Sequence, residues 1–234
     1  MAITLVGTAS ANRATDGALT VTLPVGTTTN DVVYFAYEFG DNSDFNMSMS
    51  TTGYTEIADL FGDDDFKCNL AVFRKVMGGT PDTEAVSNAH GGNAGSSIAA
   101  VVMVLRGVDT TTPEDAAATT LAAANTNIPD PPSITTVTNG AWVLAVGSST
   151  NAEVATAPTG YSDVVTAVAT GAWDNCGIAM ALKEIAVAGA ENPGAFGNIT
   201  DSSGRAACSV TIAVRPAAAA GGGNAKNMLL LGVG

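Results

Sequence analysis

The feature that most constrains this chain is that it repeats itself. Two stretches offset by about 108 residues carry the same blocks in the same order. The first runs from Asp31 through VVYFAYEF, TTGYTEI ending at Ile57, CNLAVFRKV from Cys68, and SSIAAVVMVLRGV ending at Val108. The second runs from Gly140 through AWVLAVGSS, PTGYSDV ending at Val164, CGIAMALKEI from Cys176, and GRAACSVTIAVRP ending at Pro216. Thr52-Gly53-Tyr54 falls on Thr159-Gly160-Tyr161, Cys68 on Cys176, Lys75 on Lys183 and Arg106 on Arg215. A chain with this pattern folds into two like units, or into two like halves of one.

The units read as strands. Between 68 and 77, Cys68, Leu70, Val72 and Val76 fall on one face, with Asn69 and Lys75 on the other. Leu19, Val21 and Leu23 alternate before Pro24, which ends that strand. Segments 31–39 and 98–105 are almost wholly apolar, the pattern of strands covered on both faces. Between the units lies TTTPEDAAATTLAAANTNIPDPPS, whose Ala-rich middle predicts a short helix near 114–124 and whose Pro129, Pro131 and Pro132 predict an extended end. The expected fold is all-β, a jelly-roll-like two-sheet β-sandwich built from two repeated units of about 108 residues, plus an extended C-terminal tail. The expected divisions are a first unit over 1–108, a connector over 109–133, a second unit over 134–216, and a spacer and tail over 217–234. Two halves of one jelly roll and two packed sandwiches both fit the repeat.

Composition narrows the function. Only 13% of residues are charged, against about a quarter in ordinary domains. The net charge is −13, and fifteen of the 22 acidic residues precede position 116. Basic residues are scattered, with no stripe to neutralise phosphates, which argues against direct nucleic-acid binding and against an anionic membrane surface. Cys68, Cys176 and Cys208 have no metal-ligand spacing, and an odd number makes no disulfide framework. They read as small buried hydrophobes. MAITLVGTAS lacks the basic start of a secretory leader, so synthesis and assembly are expected in a cytoplasm.

Candidate chemistry is sparse. Asp41, Asp44, Asp63, Asp64 and Asp65 gather carboxylates of the kind that hold Ca²⁺, but without EF-hand spacing. The second unit has Trp173-Asp174-Asn175 near the place of the triple Asp, so the expectation is solvated loop charge and no metal. His90, the only histidine, lies in NAHGGNAG with neither a nucleophile elbow nor a phosphate-loop ending beside it. No enzyme activity and no cofactor are expected. Tyr54 and Tyr161 could stack on a sugar, but their repetition suits a structural role better, a turn glycine followed by an aromatic that plugs the end of a sandwich.

The C-terminal AAAAGGGNAKNMLLLGVG is a flexible spacer leading to Met228, Leu229, Leu230, Leu231 and Val233. This apolar run is far too short to span a bilayer, which takes roughly twenty residues. It reads as an assembly anchor. Burial of its five side chains contributes roughly 7–15 kcal/mol, and ordering seven residues costs roughly as much, so an anchor needs strand-type hydrogen bonds or several tails together.

The block order of Asp and apolar strand, Thr-Gly-Tyr, apolar strand with Arg/Lys, and a long strand ending Leu-Arg-Gly-Val resembles a β-sandwich type among accessory structural proteins of tailed bacteriophages. Those carry Pro-Gly-Trp or a relative where this chain has Thr52-Gly53-Tyr54 and Pro158-Thr159-Gly160-Tyr161. The resemblance covers roughly 18–216. It implies a virion component, a capsid decoration or a head or tail appendage, partnered by other virion proteins and by copies of itself as a trimer or other homo-oligomer. It implies no catalytic residues. Alternatives are a glycan- or receptor-binding module using loops 40–46, 62–67 and 90–95, a secreted adhesin, and a hydrolase around His90.

Overall fold

The computed structural model describes residues 1–92, 95–151, 153–172 and 175–218. They form fourteen strands and, among the described residues, no helix. The first half supplies β1 (Thr4–Arg13), β2 (Thr20–Thr22), β3 (Val32–Gly40), β4 (Thr55–Gly62), β5 (Cys68–Val76), β6 (Glu84–Val86) and β7 (Ser97–Arg106). The second supplies β8 (Glu114–Ala123), β9 (Ile134–Thr135), β10 (Ala141–Ser149), β11 (Ser162–Thr170), β12 (Asn175–Ile185), β13 (Ala190–Glu191) and β14 (Ala207–Val214).

The duplication is complete at the level of topology. One five-stranded antiparallel sheet has the order β1-β7-β3-β5-β4. The other, taken from its β8 edge, has the order β8-β14-β10-β12-β11. Each strand of the first half thus has its counterpart in the same place. The two-stranded ribbons β2-β6 and β13-β9 match as well, as do the bridges Met49↔Ser87 and Thr156↔Gly197. Each half of the chain builds one sheet, and the two sheets stack into a single sandwich. Edge β1 packs against β11 and edge β4 against β8, so a pseudo-twofold axis runs between the layers.

Alternation decides which side chains enter that shared interior. Val32, Tyr34, Ala36, Leu70, Val72, Met103 and Leu105 meet Leu144, Val146, Ile178, Met180, Val210 and Ile212, all with at most 2% exposure. Their neighbours in sequence face outward and are also buried, which explains the unbroken apolar runs. On the first sheet Val33, Phe35, Tyr37 and Phe39 lie under the β2-β6 ribbon and the 41–54 loop. On the second, Val143, Ala145, Ala179 and Ala213 lie under Ile134, Tyr161 and Phe196. A fully buried Leu or Ile here is worth about 1.5–3 kcal/mol.

Residues 114–123 correct the helical expectation. They form β8, paired with β14 from Ala207↔Ala123 to Val214↔Glu114. Strand β14 is buried along its whole length, and without β8 one row of its amides and carbonyls would be buried unpaired. That need outweighs the helix propensity of the alanines. The connector of the sequence reading is therefore in part an edge strand of the second sheet.

The repeated Thr-Gly-Tyr blocks close equivalent corners. Gly53 and Gly160 turn the chain, Lys75 places its Nζ 5.5 Å from the centre of the Tyr54 ring, and Lys183 lies 5.7 Å from that of Tyr161. Each ammonium is then held by an acid, Asp82 at 2.6 Å or Glu191 at 2.8 Å. This is the structural role expected of the two tyrosines. Arg106 and Arg215 are each paired too, but to acids in different places. Arg106 reaches buried Asp31 at 2.8 Å, and Arg215 reaches Asp115 on β8 at 3.3 Å.

Candidate functional site

The loops that carry the candidate residues emerge at the end of the sandwich where β3 and β10 finish and β5, β7, β12 and β14 begin. The 41–54 loop is fixed from below by Asn69. Its Nδ2 donates to the carbonyls of Phe39 and Ser43, at 3.2 and 3.0 Å, and its Oδ1 accepts from the Phe45 amide at 3.1 Å. Further along, the Tyr37 hydroxyl donates to the Ser48 carbonyl and accepts from its amide. Asn69, fully buried, satisfies backbone that would otherwise be stranded.

So held, the loop and strand β4 enclose a hollow of about 460 Å³ lined by Asp44, Phe45, Asn46, Asp59 and Phe61. Asp44 is exposed, whereas Asp59 is half-buried and accepts from the Met47 amide at 3.0 Å. Burial, with the charges of Glu56 and Asp44, holds the Asp59 carboxyl above its ordinary value. Two carboxyls, a carboxamide and two aromatic rings around one hollow suit a neutral, hydroxyl-bearing ligand. Of the five, Asp44 was a named candidate and Phe45 and Asn46 fall in the candidate 40–46 loop, whereas Asp59 and Phe61 were not foreseen. The signal for Asp59 was an acid in the middle of an otherwise half-apolar edge strand, TEIADLFG.

The other candidates go elsewhere. Asp41 is 1% exposed and accepts from the Ser96 hydroxyl at 2.6 Å, so it is buried structure rather than the solvated charge expected. Asp63 pairs with Lys67, and Asp64 accepts from the Asn125 amide across the repeats. Asp65 lies beside Gly204. Phe66, next in the chain, bridges Arg205 of the second half, whose guanidinium lies 4.5 Å from the Phe66 ring centre. The triple-Asp loop is thus a seam between the halves. Among the described residues no group of three or more His, Cys, Asp or Glu is placed to hold a metal. Trp173 and Asp174, the second unit's counterpart of that loop, lie outside the described residues.

His90 stacks on Tyr37, with ring centres 5.6 Å apart and planes 17° apart, and tilts over Phe39 at 4.8 Å. Asp16 accepts from the backbone amides of His90 and Gly92, not from the imidazole. Burial lowers the His90 pKa, partly offset by Asp16, and so favours the neutral ring. This is an aromatic plug over the outer face of the first sheet. Among the described residues, no hydrogen bond to the imidazole of the kind a hydrolytic triad uses is found.

The innermost group at this end was not among the sequence candidates. Glu38, fully buried on the inner face of β3, accepts from the Gly177 amide at 3.0 Å and stands beside the Cys68 thiol. Burial pushes its carboxyl well above the ordinary value, favouring the protonated form. Cys68 in turn contacts the Ser148 hydroxyl at 2.9 Å, and Ser97 contacts Cys176 at 3.3 Å. The thiols are free and buried.

No family model, curated protein or solved structure matches this chain. The proposed anchor residues Met228, Leu229, Leu230, Leu231 and Val233 lie outside the described residues. The described chain finishes at the opposite end of the sandwich, where Pro216 bridges Val108, the Ala217 amide donates to Gly107, and the Met1 ammonium donates to the Ala217 carbonyl.

Proposed function

We propose that this protein is a structural component of a tailed-phage virion, a capsid decoration or an appendage of head or tail. In this reading the duplicated sandwich is the body, and residues 217–234 join it to other virion proteins or to further copies in a trimer or other homo-oligomer. The observation that carries the proposal is a contrast within the chain. The body pairs most of its basic side chains with its own acids, as in Arg106–Asp31, Arg215–Asp115, Arg74–Glu114, Lys75–Asp82 and Lys183–Glu191. The sequence then continues into a spacer and MLLLGVG, which have no counterpart in the first repeat. The block order shared with phage accessory proteins supports the same reading.

Mass spectrometry of purified particles tests it, with the full chain compared against a chain ending at Pro216. The expected result is a stoichiometric virion band for the full chain and a soluble, folded, unincorporated body for the truncation. Normal incorporation of the truncated chain would exclude the anchor, and absence from particles would exclude the virion role.

The second reading, a glycan-binding module, is favoured by the Asp44, Phe45, Asn46, Asp59 and Phe61 hollow. A glycan array with Asp59→Ala and Phe61→Ala controls separates it from a purely structural role.

A further inference from the structure

Cys68 opens β5 in the first sheet and Cys208 is the second residue of β14 in the second. Both point into the shared interior, and neither has any exposed surface. Cys208 Sγ lies 3.5 Å from the Cys68 carbonyl oxygen, and its thiol helps raise the Cys68 pKa. The layers converge here. A Cβ on Gly62, the rung partner of Cys68, would lie 2.9 Å from Ala206 Cβ and 3.3 Å from Cys208 Sγ. Close by, Phe66 and Arg205 bridge the halves backbone to backbone. Two half-cystines on facing strands of stacked sheets is the arrangement by which immunoglobulin-type sandwiches staple their layers.

The third thiol, Cys176, also feels Cys68 across the layers, but it lacks the counterpart of Cys208. In the register of the sheets, Glu38 stands opposite Ala99 and Ser148 opposite Cys208. The pseudo-twofold therefore maps the pair Cys68 and Cys208 onto Cys176 and Ala99. Cys176 is matched with a methyl group.

We propose that Cys68 and Cys208 are a redox pair that closes into a disulfide between the two repeats when the chain meets an oxidising small-molecule disulfide. The balance is a thiol–disulfide exchange. One thiolate attacks the reagent's S–S bond and releases one reagent thiol; the second cysteine then displaces the other. Two protein S–H bonds are lost and one S–S forms, while the reagent's S–S is reduced to two S–H. Burial holds the Cys68 thiol well above its ordinary pKa, so exchange proceeds through opening of this end of the sandwich and is slow. The inference is independent of the virion reading.

The test uses the full chain, reduced, freed of reductant and incubated with glutathione disulfide, with mild denaturant added in a parallel arm to promote opening. Denatured thiol counts should fall from three to one per chain, and peptide mapping without reductant should give a single Cys68–Cys208 link. The link spans 140 residues, so Tm should rise by about 10 °C and return on adding dithiothreitol. Cys176→Ser should keep the shift and Cys208→Ala should lose it; the alanine reproduces what the other repeat holds at Ala99. Three thiols persisting in both arms, a link through Cys176, or links only between chains would overturn the proposal.

Discussion

Gly53 and Gly160 stand at equivalent corners of the two halves with φ of +84° and +83°. Nothing in the chain enforces that agreement except that both corners do the same work. Each turns the backbone so that a tyrosine enters the fold beneath a lysine whose ammonium is pinned by an acid seven or eight residues later.

Replacing either glycine with alanine places a Cβ in left-handed backbone, at about 1–2 kcal/mol. Gly53→Ala and Gly160→Ala should each lower Tm by roughly 2–8 °C. Gly78→Ala, where an added Cβ meets nothing within 4 Å, serves as the control and should leave Tm unchanged. Thermal melts by circular dichroism read the difference.

Glu38 predicts an inverted acid dependence. Its folded pKa lies above the unfolded value near 4.5, so the folded chain holds a proton that the unfolded chain releases. The contribution is complete below pH 4.5 and is lost as pH rises toward the folded value. Stability should therefore fall as pH rises above 4.5. Glu38→Gln keeps the shape without the proton. Urea unfolding at pH 5 and pH 8 should show a smaller loss across that range in the variant than in the parent.

His90 contributes the opposite slope near pH 6.5. Its folded pKa is depressed below 6.5, so the unfolded chain takes up a proton first and stability falls as pH drops through 6.5. His90→Phe should retain the stacking on Tyr37 and Phe39 and remove that fall. The difference in unfolding midpoint between variant and parent should therefore grow in the variant's favour from pH 7 to pH 5.5. Equal pH slopes in both chains would show that the imidazole ionises freely when folded.

The acidic loops should need no metal. Asp63 and Asp64 are engaged by Lys67 and the Asn125 amide. Addition of EDTA should therefore leave Tm unchanged, and Ca²⁺ should not raise it. A drop of several degrees restored by Ca²⁺ would overturn this assignment.

Much of the architecture was legible because a few repeated residues do identical jobs. The Tyr, Lys, Cys and Arg positions mark equivalent places on or beside three strands of each sheet, and the apolar runs mark strands buried on both faces. Strand β8 was not legible. EDAAATTLAA has no alternation, and only the unsatisfied edge of β14 makes it a strand. Strand β1 was obscured for the same reason, its small side chains in TLVGTASANR being half-exposed at an edge. Of the candidate site, Asp44 was found by its charge, but Asp59 and Phe61 reach the same hollow only because the 41–54 loop folds over β4. Glu38 read as one polar residue in an apolar strand, since its partner Gly177 is 139 residues away.

The assignment of one whole sheet to each half of the chain has a consequence for synthesis. Every rung of the first sheet is available before the ribosome has reached Asp109, so that sheet can pair fully while its inner face, with Val32, Tyr34, Val72 and Met103, still has no cover. Until the second half emerges, the surface most like its missing mate is the same face on another nascent chain. The fold thus carries a built-in hazard of exchanging halves between copies. The cross-repeat contacts at Phe66–Arg205 and Arg74–Glu114 reward the union of halves, whichever chain each came from.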